Sequence, residues 1–221
     1  MIDDTIWQLI GTGLCESVYM TIVSTLFAYA IGLPLGIAVV VTEKNGLLEK
    51  RALNSVLNVI INITRSIPFL ILLIAIIPFT RLVAGTSIGM NATVVPLVVA
   101  AAPFVARLVE SSIKEVNSGV IEAAKSLGAT PFQIIWKVLI PESKPSLILG
   151  AAIATTTILS YSAMAGIVGG GGLGDIAIRY GYYRYEPLTM MITVILLVVL
   201  VQVFQEIGNK ITKKQDKRKA G

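Results

Sequence analysis

The sequence predicts an all-helical integral membrane protein with five spans, and three observations lead there. Of its 221 residues, 55% are apolar and only 14% are charged, too few charges to cover a water-soluble globule. The mean hydropathy is +0.81. Five long uncharged stretches, Ser17–Thr42, Ser66–Thr80, Thr86–Ala106, Pro145–Gly174 and Pro187–Gln205, mostly approach or exceed the roughly 20 residues that cross a bilayer. The spans are therefore expected at 17–42, 58–80, 86–106, 145–168 and 187–207, with one long loop at 107–144.

Each element has its own justification. The stretch from Ser66 is short for a span, but Leu53, Val56, Leu57, Ile60, Ile61 and Thr64 recur at helical spacing ahead of it, with Asn54, Asn58 and Asn62 elsewhere on the helix. An amphipathic turn or two is expected to lead into span two, placing Arg65 near its inner end as a snorkelling or structurally paired cation rather than a substrate contact. Breakers recur within the spans: Gly32, Pro34 and Gly36 in the first, Pro68 and Pro78 in the second, Pro96 and Pro103 in the third. The hydrogen bonds they remove are restored only by neighbouring helices or polar cavities, so these helices are expected to pack as a bundle. Gly32 and Gly36 form a small-xxx-small pair suited to close helix approach.

Orientation follows from the cations. None precedes span one, three lie in the first loop (Lys44, Lys50, Arg51), one in the second (Arg81), five in the third (Arg107, Lys114, Lys125, Lys137, Lys144), two in the fourth (Arg179, Arg184) and six in the tail. By the positive-inside rule the N-terminus is expected outside, loops one and three cytoplasmic, and the tail from Lys210 to Lys219 inside. The net charge of +5 is then explained by orientation and by attraction to anionic lipid, without nucleic acid.

Composition also excludes chemistries. With no histidine there is no imidazole base and no histidine metal ligand, and Cys15, the single cysteine, forms neither an internal disulfide nor a multi-thiolate site. It reads as a small apolar residue. The first sixteen residues hold Asp3, Asp4 and Glu16 and no cation, so no cleavable leader is expected there. No span carries an acid at mid-membrane to shuttle protons or sodium, and no internal inverted repeat is evident.

The loop between Arg107 and Pro145 is too regular to be a linker. Val120, Ala123, Ala124 and Leu127 share a helical face, Glu122 and Lys125 are spaced for an ion pair, and Ser118 is placed to cap the start. Gly128 ends that helix. Thr130, Pro131 and Gln133 then spell a capping box with proline at the first helical position, followed by Ile134, Ile135, Val138, Leu139 and Pro141. The expected product is a compact elbow in the cytoplasm.

Glu122-Ala123-Ala124, Gly128 four residues on, and Val138-Leu139-Ile140-Pro141 after nine more resemble the EAA loop of ATP-binding cassette importer permeases, EAA-x3-G-x9-I-x-L-P. Val138 and Ile140 are the departures from it. The resemblance extends over nearly the whole chain and is most similar to the methionine-uptake permeases, through Arg65-Ser66-Ile67-Pro68-Phe69, Ile77-Pro78-Phe79-Thr80-Arg81, Gly85-Thr86-Ser87-Ile88-Gly89, Ala101-Ala102-Pro103-Phe104, Tyr161-Ser162-Ala163-Met164 and Gly171-Gly172-Leu173-Gly174. It implies a type I importer architecture in the bacterial inner membrane, a homodimer of five-span subunits, two ATPase subunits that bind ATP and Mg, and an external binding protein delivering D- or L-methionine. It further implies that Glu122, Ala123, Ala124 and Gly128 couple to the ATPase. The chain itself has no Walker motif, cofactor or metal site and is expected to catalyse nothing.

In span four Thr155, Thr156, Thr157, Ser160, Tyr161 and Ser162 make a polar run whose hydroxyls favour the bundle interior or a water-filled path. Tyr161, Ser162 and Met164 are accordingly expected to line the translocation path, with Met164 as a flexible gate. The run Gly169–Gly174 contains G-x-G-x-x-G, but it follows an apolar helix rather than a strand and no Gly-Lys-Ser/Thr follows it. It reads instead as a flexible outer hinge, followed by Tyr180, Tyr182, Tyr183 and Tyr185 with Arg179 and Arg184, placed for a binding protein or the headgroup layer. Two rivals stand: an importer permease of the same architecture for another small solute such as a polar amino acid, and a passive channel or regulatory membrane subunit, which leaves the elbow unexplained.

Overall fold

Within lipid a backbone N–H or carbonyl has no water to bond, so an apolar chain of this kind satisfies itself as helix. The computed structural model describes residues 4–215, and every regular element among them is helical. In chain order they are α1 (Asp4–Thr42), α2 (Arg51–Ser66), α3 (Phe69–Ala75), α4 (Ile77–Ala84), α5 (Met90–Lys114), α6 (Ser118–Ser126), α7 (Pro131–Ile134), α8 (Ile140–Ala165), α9 (Gly172–Ile176) and α10 (Pro187–Gln215). A π-helical turn at Ile135–Leu139 joins α7 to α8 without a break. Four helices are long and apolar enough to cross a membrane, and the pair α2 and α3, bent by 101°, makes a fifth if counted as one span. The part of the basic tail beyond residue 215 lies outside the described residues.

α5 is the axis of the bundle, because small residues let its neighbours close on it from several sides. Leu97, Ala101, Val105, Ala106 and Val109 are fully buried, with α1 on one flank and α8 on the other. On α1, a Cβ added to Gly36 would lie 2.5 Å from the Ala106 carbonyl oxygen, and one added to Gly32 would lie 2.8 Å from that of Ala102. The small-xxx-small pair therefore sets the α1–α5 separation. α10 packs mainly on α8 and leaves Met191, Ile195, Val198 and Val199 exposed, an apolar flank suited to lipid.

Within the expected second span, 58–80, the helix is broken twice. Pro68 disfavours helical geometry at the preceding residue, and Ile67 is extended at φ −83° and ψ 123°. A second interruption falls at Ile76, two residues before Pro78. The amphipathic lead-in is longer than one or two turns, since α2 runs for 16 residues. It also docks by its polar face: Asn54 donates to the Val39 carbonyl at 2.7 Å and to Thr42 at 3.2 Å, Ile61 is buried, and Leu53, Val56 and Ile60 point away from the bundle. Apolar residues turn outward here because the surroundings are apolar too.

At the end of the bundle away from the elbow, the glycine run is a fixed junction and not the expected hinge. Gly172 donates its N–H to Glu16 at 2.7 Å, Leu173 donates to Ser17 at 2.9 Å, and Thr93 donates to the Gly170 carbonyl at 3.2 Å. A Cβ on Gly174 would lie 2.1 Å from the Ala163 carbonyl oxygen, so α9 is pressed directly onto the end of α8. The aromatic segment beyond it is exposed at Tyr182, Tyr183 and Tyr185, with Arg184 lying 4.4 Å over the Tyr180 ring.

The packing at Gly36 makes a direct prediction. Gly36→Ala forces α1 off the α5 backbone and should cost about 1–3 kcal/mol, as overpacking does. Gly11→Ala, on the same helix with nothing within 4 Å, should be neutral or gain up to about 1 kcal/mol. Melting of the two purified variants in detergent checks this; equal melting temperatures would contradict the account.

Candidate functional site

The elbow is assembled from local signals. Asn117, not the expected Ser118, caps α6, its side chain accepting from the Gly119 N–H at 2.8 Å. The helix ends in a Schellman turn: the Gly128 N–H donates to the Lys125 carbonyl at 2.9 Å and the Ala129 N–H to that of Ala124 at 3.1 Å, with Gly128 at φ +77°. Thr130 and Gln133 then form the expected reciprocal capping box, with Pro131 at its first position. Two helix ends thus meet across four residues with most of their terminal backbone groups bonded.

Burial shows what the elbow holds and what it presents. Ile121, Ala124 and Ala129 pack against the core with Ile134 and Leu139 behind them. Outward stand Glu122, Ala123, Lys125 and Gly128, together with Val120 and Leu127, the latter 88% exposed. The expected pairing of Glu122 with Lys125 is not made, leaving Glu122 open to another partner. Phe132 and Trp136, 69% and 55% exposed with ring centroids 6.0 Å apart, extend the same apolar surface. Sequence reading missed both, although their i,i+4 spacing beyond a capping box was visible; it also gave Leu127 the same face as Ala124.

The second helix of the elbow does not stop at Pro141. It runs on through the π turn into α8, giving one helix from Pro131 to Val168. Proline at 141 removes a donor and crowds the carbonyl four residues back, and the wide turn at 135–139 absorbs that strain while the Ile140 N–H still reaches the Ile135 carbonyl. The elbow is thereby fused to the helix that carries Tyr161, Ser162 and Met164.

Those three residues do not share a surface. Ser162 is buried and donates to the Leu159 carbonyl at 2.8 Å; Met164 is 39% exposed; Tyr161, one turn before Met164, is half-buried and stacks face to face on Phe69 at 4.6 Å. The hydroxyls of Thr155, Thr156, Thr157 and Ser160 each donate to their own helix at 2.8–3.1 Å, so the polar run needs neither a cavity nor a partner.

A charged lattice missed by sequence reading ties the elbow's end of the bundle together. Arg107 donates to Asn62 of α2 at 2.7 Å and to Glu110, while Lys114 reaches Glu110 and Glu43 at the end of α1, each at 2.9 Å. In the loop beyond, the backbone N–H of Asn45 and then the Arg51 side chain hold the Glu49 carboxyl below its ordinary value. Arg65, one turn along α2 from Asn62, makes no ion pair among the described residues.

Fold and site together define an all-helical membrane subunit that presents a folded elbow on a continuous transmembrane helix. The chain belongs to the family of binding-protein-dependent transport system inner membrane components, whose family model matches residues 30–213. A probable D-methionine transport system permease protein of Vibrio cholerae is 50% identical over 211 residues, covering 96% of this chain and 94% of the relative. The D-methionine transport system permease protein of Escherichia coli K12 is 47% identical over 166 residues, 75% of this chain and 76% of its own length. A chain from inward-facing structures of the methionine ABC transporter MetNI superposes with TM-score 0.96 at 45% identity, covering 98% of this chain and 100% of that one. An amino acid ABC transporter solved with histidines shares the fold at TM-score 0.79 and 20% identity, covering 97% and 99% of the two chains. The chain is accordingly a multi-pass inner-membrane permease that carries out no chemical step of its own.

Gly128 supplies the test of the elbow. An L side chain at φ +77° costs about 1–2 kcal/mol, so Gly128→Val should populate the opened elbow roughly 5- to 30-fold more. Tryptic cleavage at Lys125 of the purified protein should accelerate in proportion, with Gly128→Asn intermediate. An unchanged cleavage rate would contradict this.

Proposed function

We propose that this chain is the membrane-spanning subunit of an ATP-driven methionine importer. Two copies form the translocation path, each with five spans, the N-terminus outside and the C-terminus cytoplasmic. Two ATP-binding cassette subunits, which bind ATP and Mg, sit beneath them, and an external binding protein delivers substrate. Alternation of the cation-rich loops supports the orientation, and the bent pair α2–α3 supplies the fifth span. Methionine is supported by relatives that carry its name at 43–50% identity over 96% of this chain.

One observation carries the mechanism: the exposed elbow is continuous with the helix bearing Tyr161 and Met164. Ala123 and Gly128 allow close docking, Val120, Leu127, Phe132 and Trp136 give an apolar knob for a groove on the ATPase, and Glu122 meets a donor there. Closure of the ATPase pair then displaces the elbow, and the rigid helix moves the path-lining face. This couples two states through contacts that differ between them. Tyr161, Ser162 and Met164 act at the path, Met164 as its most exposed member and Ser162 by fixing the helix behind it.

The test is uptake of labelled methionine into cells expressing this chain with its ATPase and binding protein, against a panel of unlabelled amino acids. Uptake should require all three chains, vanish with a hydrolysis-dead ATPase and be competed by methionine, and Leu127→Asp should reduce it at least about tenfold by burying a charge in the docking groove. ATP-dependent uptake competed by another solute instead would overturn methionine and leave the architecture; uptake indifferent to the ATPase would overturn both.

A further inference from the structure

Where α2 bends into α3 there is a cavity of about 210 Å³, lined chiefly by Thr64, Arg65, Phe69, Phe104 and Tyr161. Phe104 lies three residues before Arg107, about 4.5 Å along the α5 axis, so the cavity sits just membrane-ward of the charged lattice. The planar guanidinium fork of Arg65 fits a carboxylate or phosphate in two-point contact. Among the described residues no acidic side chain lines the cavity, and the carboxylate on the adjoining part of α5, Glu110, is already taken by Arg107 and Lys114. Three aromatic residues also line the cavity, Phe104 and the stacked pair Phe69 and Tyr161, whose rings lie 4.6 Å apart at 3°.

A guanidinium without an ion pair among the described residues, in a space this small that three aromatic residues also line, suits a solute with an oxyanion at one end and a short apolar group at the other. We propose that this cavity is a half-site for the transported amino acid in the inner half of the path: Arg65 receives the carboxylate, and Phe69, Phe104 and Tyr161 receive the side chain. A thioether is well suited to those rings, because sulfur packs favourably against ring edges. With no acid present, the ammonium contributes nothing to selection here. A lipid phosphate offers Arg65 the same oxyanion chemistry, but it carries acyl chains too large for the cavity. The assignment rests on the importer reading above, and it makes Arg65 a substrate contact where the sequence alone favoured snorkelling or pairing.

Two measurements on the assembled transporter in proteoliposomes decide it. The first compares Arg65→Gln with the wild type as methionine moved per ATP hydrolysed; loss of a charge-assisted carboxylate contact should lower that ratio about tenfold, with Arg65→Lys between the two. A structural defect would lower uptake and hydrolysis together, and an unchanged ratio overturns the proposal. The second measurement keeps Arg65 and follows maleimide labelling of Thr64→Cys in a Cys15→Ser background. Methionine should slow labelling several-fold, whereas methioninamide, which lacks the carboxylate, should not. Equal protection by the two, or a rate that responds to phosphatidylglycerol in the vesicle and not to methionine, overturns the proposal. If the wild-type complex moves a different amino acid, methionine is lost as the substrate and the half-site is judged by the same measurements with that amino acid and its amide.

Discussion

Everything in this structure answers to one constraint: in hydrocarbon a polar backbone group finds its partner within the protein or pays the full cost of having none. The constraint makes the chain helical, and it also decides where the helices can break. Pro34, Pro96 and Pro103 are carried inside unbroken helices. The sharp bend at Ser66–Pro68 is placed beside a cavity, and the glycine run at the other end is met by Glu16, Ser17 and Thr93 from two other helices. The hydroxyls of Thr155, Thr156, Thr157, Ser160 and Ser162 bond to their own helix, while those of Ser24, Tyr29 and Thr80 are buried without a partner among the described residues.

The constraint relaxes only where the chain leaves the membrane, and there the molecule presents its apolar side chains to water. Leu127, Phe132 and Trp136 are exposed on a segment whose backbone is held by a Schellman turn and a capping box. A rigid backbone under an exposed apolar surface is the form of a docking element, since little ordering entropy is left to lose on binding. The π turn ahead of Pro141 gives the elbow its reach, because it lets the helix continue past a proline that would otherwise end it.

The helical class and the elbow were legible in the sequence because both are written locally, in hydropathy and in the spacing of Thr130, Gln133 and Gly128. What was not legible depends on distant partners. Nothing in the run Gly169–Gly174 reveals that Glu16 and Ser17, about 156 residues away, will accept its N–H groups, so it read as a hinge. The spacing marked α2 as amphipathic without saying which face would pack; a lipid surround removes the usual inward preference of apolar residues, and Asn54 docks on α1. Tyr161, Ser162 and Met164 were grouped by adjacency, yet at 100° per residue they point apart: Ser162 is buried, Tyr161 packs on the core against Phe69, and Met164 is exposed. A loop over 107–144 was expected to separate the elbow from the span at 145–168, because a π turn leaves no mark in composition.

The central claim is that the elbow and the face of α8 proposed to line the path move as one body. Its most direct measurement places spin labels at Ser126→Cys or Met164→Cys in a Cys15→Ser background and records the distance between the two copies in the assembled transporter, without nucleotide and with ATP trapped in a hydrolysis-dead ATPase. The account predicts that both distances change together on trapping. A change at Ser126→Cys with none at Met164→Cys would show that the π turn is a hinge, and would contradict it.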